Sequence, residues 1–369
     1  MISSLPGYNG LVDESGTPYG VKHIGNKPRV SSMPYLYDIA EGNVSGHAAF
    51  SKIGYNPLGS TTEQDIWSAG GTYVFPTAAA AMEVVSGDNT QDIGTVIKGD
   101  ATGNTVQADA DGTTTSLEDD SVSFTDATTV AVGDCVILDP HGATPEWGYV
   151  TGVAANTLTV AGGFSEGGTA ASRYYAVIDK SGYTNAQVVK IDYLDASYAR
   201  KKEIVVLNGT TVVATINTDI FRINYFHVIA AGSNEVCLGD IAIRHLNDAP
   251  EYGHITAGYT RERGCIFTVP AGYTAYITDI NFGAVDPNAS KFQAVRMSIR
   301  SNMEPRHEFL TGNMFFPLAE VLVTNASVPL SLAMPIKIIA TTDVKISGKG
   351  FTGFVGPAPL TAVVRGWLE

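Results

Sequence analysis

LNGTTVVATINTDIFRINYFHVIAAG, residues 207–232, is the stretch that decides the fold class. Its β-branched and aromatic residues come in short runs, and Asn208-Gly209 ahead of them is a strong signal for a tight turn between strands. The text on either side reads the same way. MEVVSGDNTQDIGTVIK stops at Lys98, and AQVVKIDYLDASYARKKEIVVLNG resumes at Ala186, so the chain reads as one sheet protein interrupted between those points. Only TTEQDIWSAGG and PTAAAAMEVV have room for short helical turns, and the second runs into a strand. An all-β chain with little helix is expected.

The interruption, residues 99–182, has its own composition. No Lys or Arg occurs between Lys98 and Arg173, while Asp100, Asp109, Asp111, Glu118, Asp119, Asp120, Asp126, Asp134, Asp139, Glu146 and Glu166 all fall there. Within it GDCVILDP, WGYVTGV, NTLTVAGGF and RYYAVID are short β runs between Gly- or Asn-containing turns, the spacing of a small barrel or sandwich. An acidic domain inserted at a loop tip is expected, because the ends of such a loop lie close together. Residues 246–369 hold a further set: GCIFTVPAGYTAYITDINFGA with a turn at Pro270-Ala271-Gly272, KFQAVRMSIRSN, PLSLAMPIKIIATTDVKISG and TAVVRGWLE. Residues 1–42, rich in Gly, Pro, Ser and Tyr without a sustained period, read as an extended arm whose aromatics suit docking on a neighbour. The expected order is arm (1–42), first β-sandwich or jelly-roll-like domain (43–98 plus 183–245), barrel-like acidic insert (99–182) and second sandwich (246–369).

The 369 residues carry a formal net charge of −14 at pH 7, which repels nucleic acid. No apolar run reaches the roughly 18 to 20 residues that cross a bilayer, and MISSLPGYNGLVDESG has neither a basic nor an apolar export region. The expectation is a chain that is neither exported nor membrane-bound. Cys135, Cys237 and Cys265 are too few and too far apart for a disulfide framework or a zinc site, and read as buried thiols of a reducing cytosol.

No reaction centre stands out. The histidines, His23, His47, His141, His227, His245, His254 and His307, include no i, i+4 pair; there is no G-x-S-x-G elbow, no phosphate-binding Gly loop and no dinucleotide fingerprint. No catalytic residue and no cofactor is expected. Glu118, Asp119 and Asp120 are contiguous, whereas glycosidase acids stand apart across a cleft. Asp109, Asp111, Asp119 and Asp120 are hard oxygen donors in one loop and are the calcium candidates, although the full D-x-D-x-D-G loop is missing and a solvated acidic loop explains them as well.

The most unusual local text is HAAFSKIGYNPLGSTTEQDIWSAGGTYVFP, residues 47–76. Trp67 sits there in a polar, Gly-flanked loop near Tyr55, Tyr73 and Phe75, which suits either the cap of its own core or the centre of an interface. His47, Gly54, Asn56, Asp65-Ile66-Trp67, Gly70-Gly71, Tyr73 and Phe75-Pro76 resemble a pattern near the start of small structural proteins of tailed-phage particles, especially marine and environmental ones. Leu207–Thr211, His227–Asn234 and Thr268–Thr278 extend the resemblance over about 43–98 and 183–355; the acidic block and the tail FTGFVGPAPLTAVVRGWLE lie outside it.

The resemblance implies a non-catalytic virion component made in the host cytoplasm. The arm, the Trp67 loop and the acidic insert motivate the expectation of a decoration or cement protein on the head lattice, contacting the major capsid protein or other virion proteins and self-associating, as a trimer by capsid symmetry. His47, Tyr55, Asn56, Asp65, Ile66, Trp67, Tyr73 and Phe75 are the contact candidates. Two further readings are a tail or adaptor-region protein whose insert touches the host surface, and a particle-borne glycan hydrolase.

Overall fold

The structure, a computed structural model, describes residues 21–24, 27–30, 38–102, 105–126, 128–246, 250–284, 293–301, 314–323, 326–351 and 358–369. It is all-β, built from antiparallel sheets, with one helical turn at 38–40. Most of the expected arm lies outside the described residues; the part described holds a hairpin of β1 (Val21–Ile24) and β2 (Lys27–Val30).

The C-terminal sandwich shows why alternation makes a sheet. In β25 (Ala358–Leu368), Ala358, Leu360, Ala362 and Val364 point inward, while Thr361 and Arg365 face out. β25 lies between β20 (Ala275–Ala284) and β3 (Ala48–Gly59), and β23 (Ala326–Ile338) closes the other side of β20. The facing sheet runs β19 (Ile266–Thr268), β24 (Thr342–Gly350), β21 (Gln293–Ser301) and β22 (Phe316–Val323), and β4 (Gln64–Asp65) pairs with β24 beyond the end of β19. Ile277, Ile280, Phe282, Val295, Met297, Ile346 and Val364 fill the space between the sheets, each removing apolar area worth about 1.5–3 kcal/mol.

The middle sandwich packs β14 (Arg200–Val206), β13 (Ala186–Leu194) and β16 (Arg222–Ala231) against β15 (Val213–Ala214), β5 (Met82–Ser86), β17 (Ile241–His245) and β18 (Glu251–Ile255). Val189, Ile191, Tyr193, Phe226, Ile241 and Ile243 are central to its core.

The acidic insert has a core of its own, including Leu117, Phe124, Val136, Leu138, Leu158 and Tyr175. One sheet runs β6 (Val96–Gly99), β12 (Tyr175–Ile178), β8 (Cys135–Leu138), β9 (Glu146–Tyr149); the other runs β10 (Gly152–Val153), β11 (Thr157–Thr159), β7 (Ser116–Glu118). Neither closes into a barrel among the described residues. Ile178 pairs with Val96, so the two ends of the insert are neighbours. Ile137 and Ile178 then pack on Val188, Ile204 and Ile229, seating the insert on the middle sandwich.

Four expectations change. β3 and β4 belong to the C-terminal sandwich rather than to the first domain, because their backbone groups pair with β25 and β24. Glu251–Ile255 belongs to the middle sandwich, not the last, because it pairs with β17. The insert sheet begins at Val96 instead of residue 99. Asn208-Gly209 does not join a hairpin: Gly209, at a φ of 60°, turns the chain from β14 to β15 in the opposite sheet, its N–H donating to Asp92 and its carbonyl accepting from Ser86.

Candidate functional site

The segment 47–76 is a clasp between the middle and C-terminal sandwiches, with Asn56, Asp65, Ile66, Trp67, Tyr73 and Phe75 buried. β3 crosses so close to the Ile66–Cys265 junction that a Cβ on Gly54 would lie 2.8 Å from the Ile66 carbonyl and 2.9 Å from the Cys265 nitrogen. No side chain fits there. Two residues on, the fully buried Asn56 donates from Nδ2 to the Asp65 carbonyl (2.7 Å) and accepts from the Leu58 N–H (2.7 Å), tying β3 to β4. The Asp65 carboxylate accepts from the Tyr73 N–H (2.7 Å) and pairs with Lys345 at 2.9 Å; burial pushes its pKa up and Lys345 opposes that. Gly70 and Gly71, at φ of 74° and 72°, let the loop double back between Trp67 and Tyr73.

The contact candidates are therefore interior groups in the main. Ile66 sits in the C-terminal core, while Trp67, Tyr73 and Phe75 stack edge to face in series, with ring centroids 5.1 and 4.9 Å apart, inside the middle core. Of the two readings left open for Trp67, the structure takes the cap of its own core: the aromatic area is spent joining the chain's own domains. Only His47 and Tyr55 keep partial exposure, and the Arg263 guanidinium covers the Tyr55 ring at 4.3 Å.

Below the clasp lies a charged network. Asp343 on β24, with no exposed surface, receives Arg222 of β16 at 2.9 and 3.2 Å, Arg300 of β21 at 2.6 Å and the Thr268 hydroxyl at 2.6 Å. Arg222 also donates to the Pro76 carbonyl and lies over the Phe221 ring at 3.9 Å. On the opposite flank Lys52 of β3 donates to the Asn224 carbonyl of β16 and lies over the Tyr225 ring at 4.1 Å. Burial lowers its pKa. Burial likewise raises the Glu262 carboxyl to about 7, against the opposing pull of Lys52 and His254. These ions were missed in the sequence, yet a signal existed: Arg222 and Asp343 are charges set within apolar β runs, and such a charge either faces solvent or has a partner.

The four calcium candidates do not converge. Asp119 spends its carboxylate on the Tyr175 hydroxyl (2.7 Å) and on Ser121, Asp109 accepts from the Asp120 N–H (2.6 Å), and Asp111 and Asp120 are exposed. Among the described residues no three His, Cys, Asp or Glu side chains are grouped to hold a metal ion. All three thiols are buried and unpaired by disulfides, and desolvation pushes Cys135 and Cys265 to about 12 and Cys237 to about 11, which keeps them protonated at neutral pH.

The surface presents apolar side chains elsewhere. β22 and β23 end their sheets on the same side of the C-terminal sandwich and lie against each other. They leave Leu322 55% and Met334 83% exposed, with Phe316 and Leu318 also facing out. No model of a known protein family matches this chain, and no curated protein matches it either.

Proposed function

We propose that this chain is a non-catalytic structural protein of a tailed-phage particle, acting as a decoration or cement protein that ties head subunits together. The observation that carries the reading is the pair of strands that end their sheets among the described residues, β22 and β23, with apolar side chains turned outward. Edge strands with unpaired backbone groups and apolar faces are normally blunted by charge or covered, because they template pairing with other chains. Here the covering is assigned to neighbouring virion proteins, the major capsid protein first among them, with trimeric self-association on the lattice. The likeness of residues 47–76 to phage structural proteins supports the same reading. Area and β pairing gained only in the assembled shell stabilise that shell alone.

A second reading, a tail or adaptor-region protein that touches the host, draws on the cleft where the insert meets the body. Copy number separates the two. Mass spectrometry of purified particles should count hundreds of copies for a lattice protein, on the order of the sites a symmetric shell offers. About a dozen or fewer points to the neck or tail, and none at all overturns both.

A further inference from the structure

The outer face of β14, β13 and β16 is the floor of a cleft of about 700 Å³, within the range of ligand sites. The insert forms one wall with Thr144 and Glu166, and the C-terminal sandwich forms the other with Phe50 and Tyr273. Register sets the floor. Lys202 lies across from Asp192, Asp192 across from Tyr225, and Arg200 across from Leu194.

The charges in this cleft are not those of the chain as a whole. Lys190, Arg200, Lys201 and Lys202 line it beside two carboxylates, Asp192 and Glu166, in a protein of net charge −14. Lys190 is held by Asp192 at 3.1 Å, Lys202 by Glu166, and Lys201 by Asp219 at 2.6 Å. Arg200 has no carboxylate partner among the described residues; it is exposed and lies over the Tyr273 ring at 5.6 Å. The cleft thus holds an unmatched guanidinium beside an aromatic ring, with the Lys190–Asp192 and Lys202–Glu166 pairs ready to exchange hydrogen bonds with hydroxyls.

We infer that this cleft binds a saccharide carrying a carboxylate, with Arg200 pairing the carboxylate and Tyr273 and Phe50 packing on the ring faces of the sugar. A guanidinium forks onto a carboxylate through two parallel hydrogen bonds, and aromatic rings supply rigid apolar area. The inference rests on the cleft and not on where the chain sits in a particle.

The test is titration calorimetry of the full chain with a short polygalacturonate, with an uncharged galactan of equal length and with a Glu-rich peptide of equal charge. The polygalacturonate should bind at least about tenfold tighter than either control, the scale of one charged hydrogen-bonded contact. Arg200→Gln should remove that preference while the thermal melt stays unchanged, and Tyr273→Ala should weaken the remaining sugar binding. Failure of the polygalacturonate to bind, equal binding of the peptide, or full retention of binding in Arg200→Gln overturns the inference.

Discussion

A carboxylate with no exposed surface is tolerated only where its neighbours neutralise it, and Asp343 meets two guanidinium groups and a hydroxyl drawn from both sandwiches. Removing its charge leaves Arg222 buried without a counter-ion, so Asp343→Asn should lower stability by about 3–5 kcal/mol in urea denaturation. A loss below about 1 kcal/mol would show that the network is dispensable. Glu262 sets a pH dependence. Its folded pKa of about 7 lies above the ordinary glutamate value of 4.5, so between those limits the folded state holds more protons than the unfolded one. Stability from this group is therefore present at low pH and is lost as pH rises towards 7. The melting temperature of the native chain should fall between pH 5 and 7 relative to that of Glu262→Gln; parallel curves would contradict the assignment.

At the scale of elements, β22 and β23 make a prediction about assembly rather than folding. Leu322→Lys and Met334→Lys place charges on exposed edge positions and should change stability by no more than about 0.5 kcal/mol; under the proposed role they should abolish incorporation into particles. Incorporation at native levels would remove these edges from the interface. The strands themselves were largely legible in the sequence, because β16, β20 and β25 show β-branched and aromatic runs bounded by turns. Their partners were not. Asn208-Gly209 and Pro270-Ala271-Gly272 are true turns, but each carries the chain from one sheet to the other, a choice made by distant backbone groups rather than by the turn residues. The same distance hid the role of Gly54 and Asn56: their neighbours Ile66, Asp65 and Cys265 assemble only once β3 has crossed to β25.

At the scale of the molecule, three cores are joined by two kinds of contact. The insert meets the middle sandwich through an apolar seam, whereas the two sandwiches meet through the aromatic clasp and its buried ions. Replacing residues 100–180 by a short Gly/Ser linker should leave the body folded, because its cores are separate. The variant should lose a few kcal/mol as Val188, Ile204 and Ile229 become exposed, each worth about 1.5–3 kcal/mol. A body that no longer folds cooperatively would show that the insert is part of its core. The acidic composition between Lys98 and Arg173 made the insert visible in the sequence; its seat was not, since Val188 and Ile204 read like any other core positions.

The proposed role stands on β22 and β23 being covered by a neighbouring protein in an assembled particle. The decisive measurement is a cryo-EM map of the particle in which the proposed role places this chain. Density for the chain on the head lattice, with Leu322 and Met334 buried against a neighbouring subunit, is the expected result. A map in which those strands face solvent, or in which the chain is missing from the particle, contradicts it.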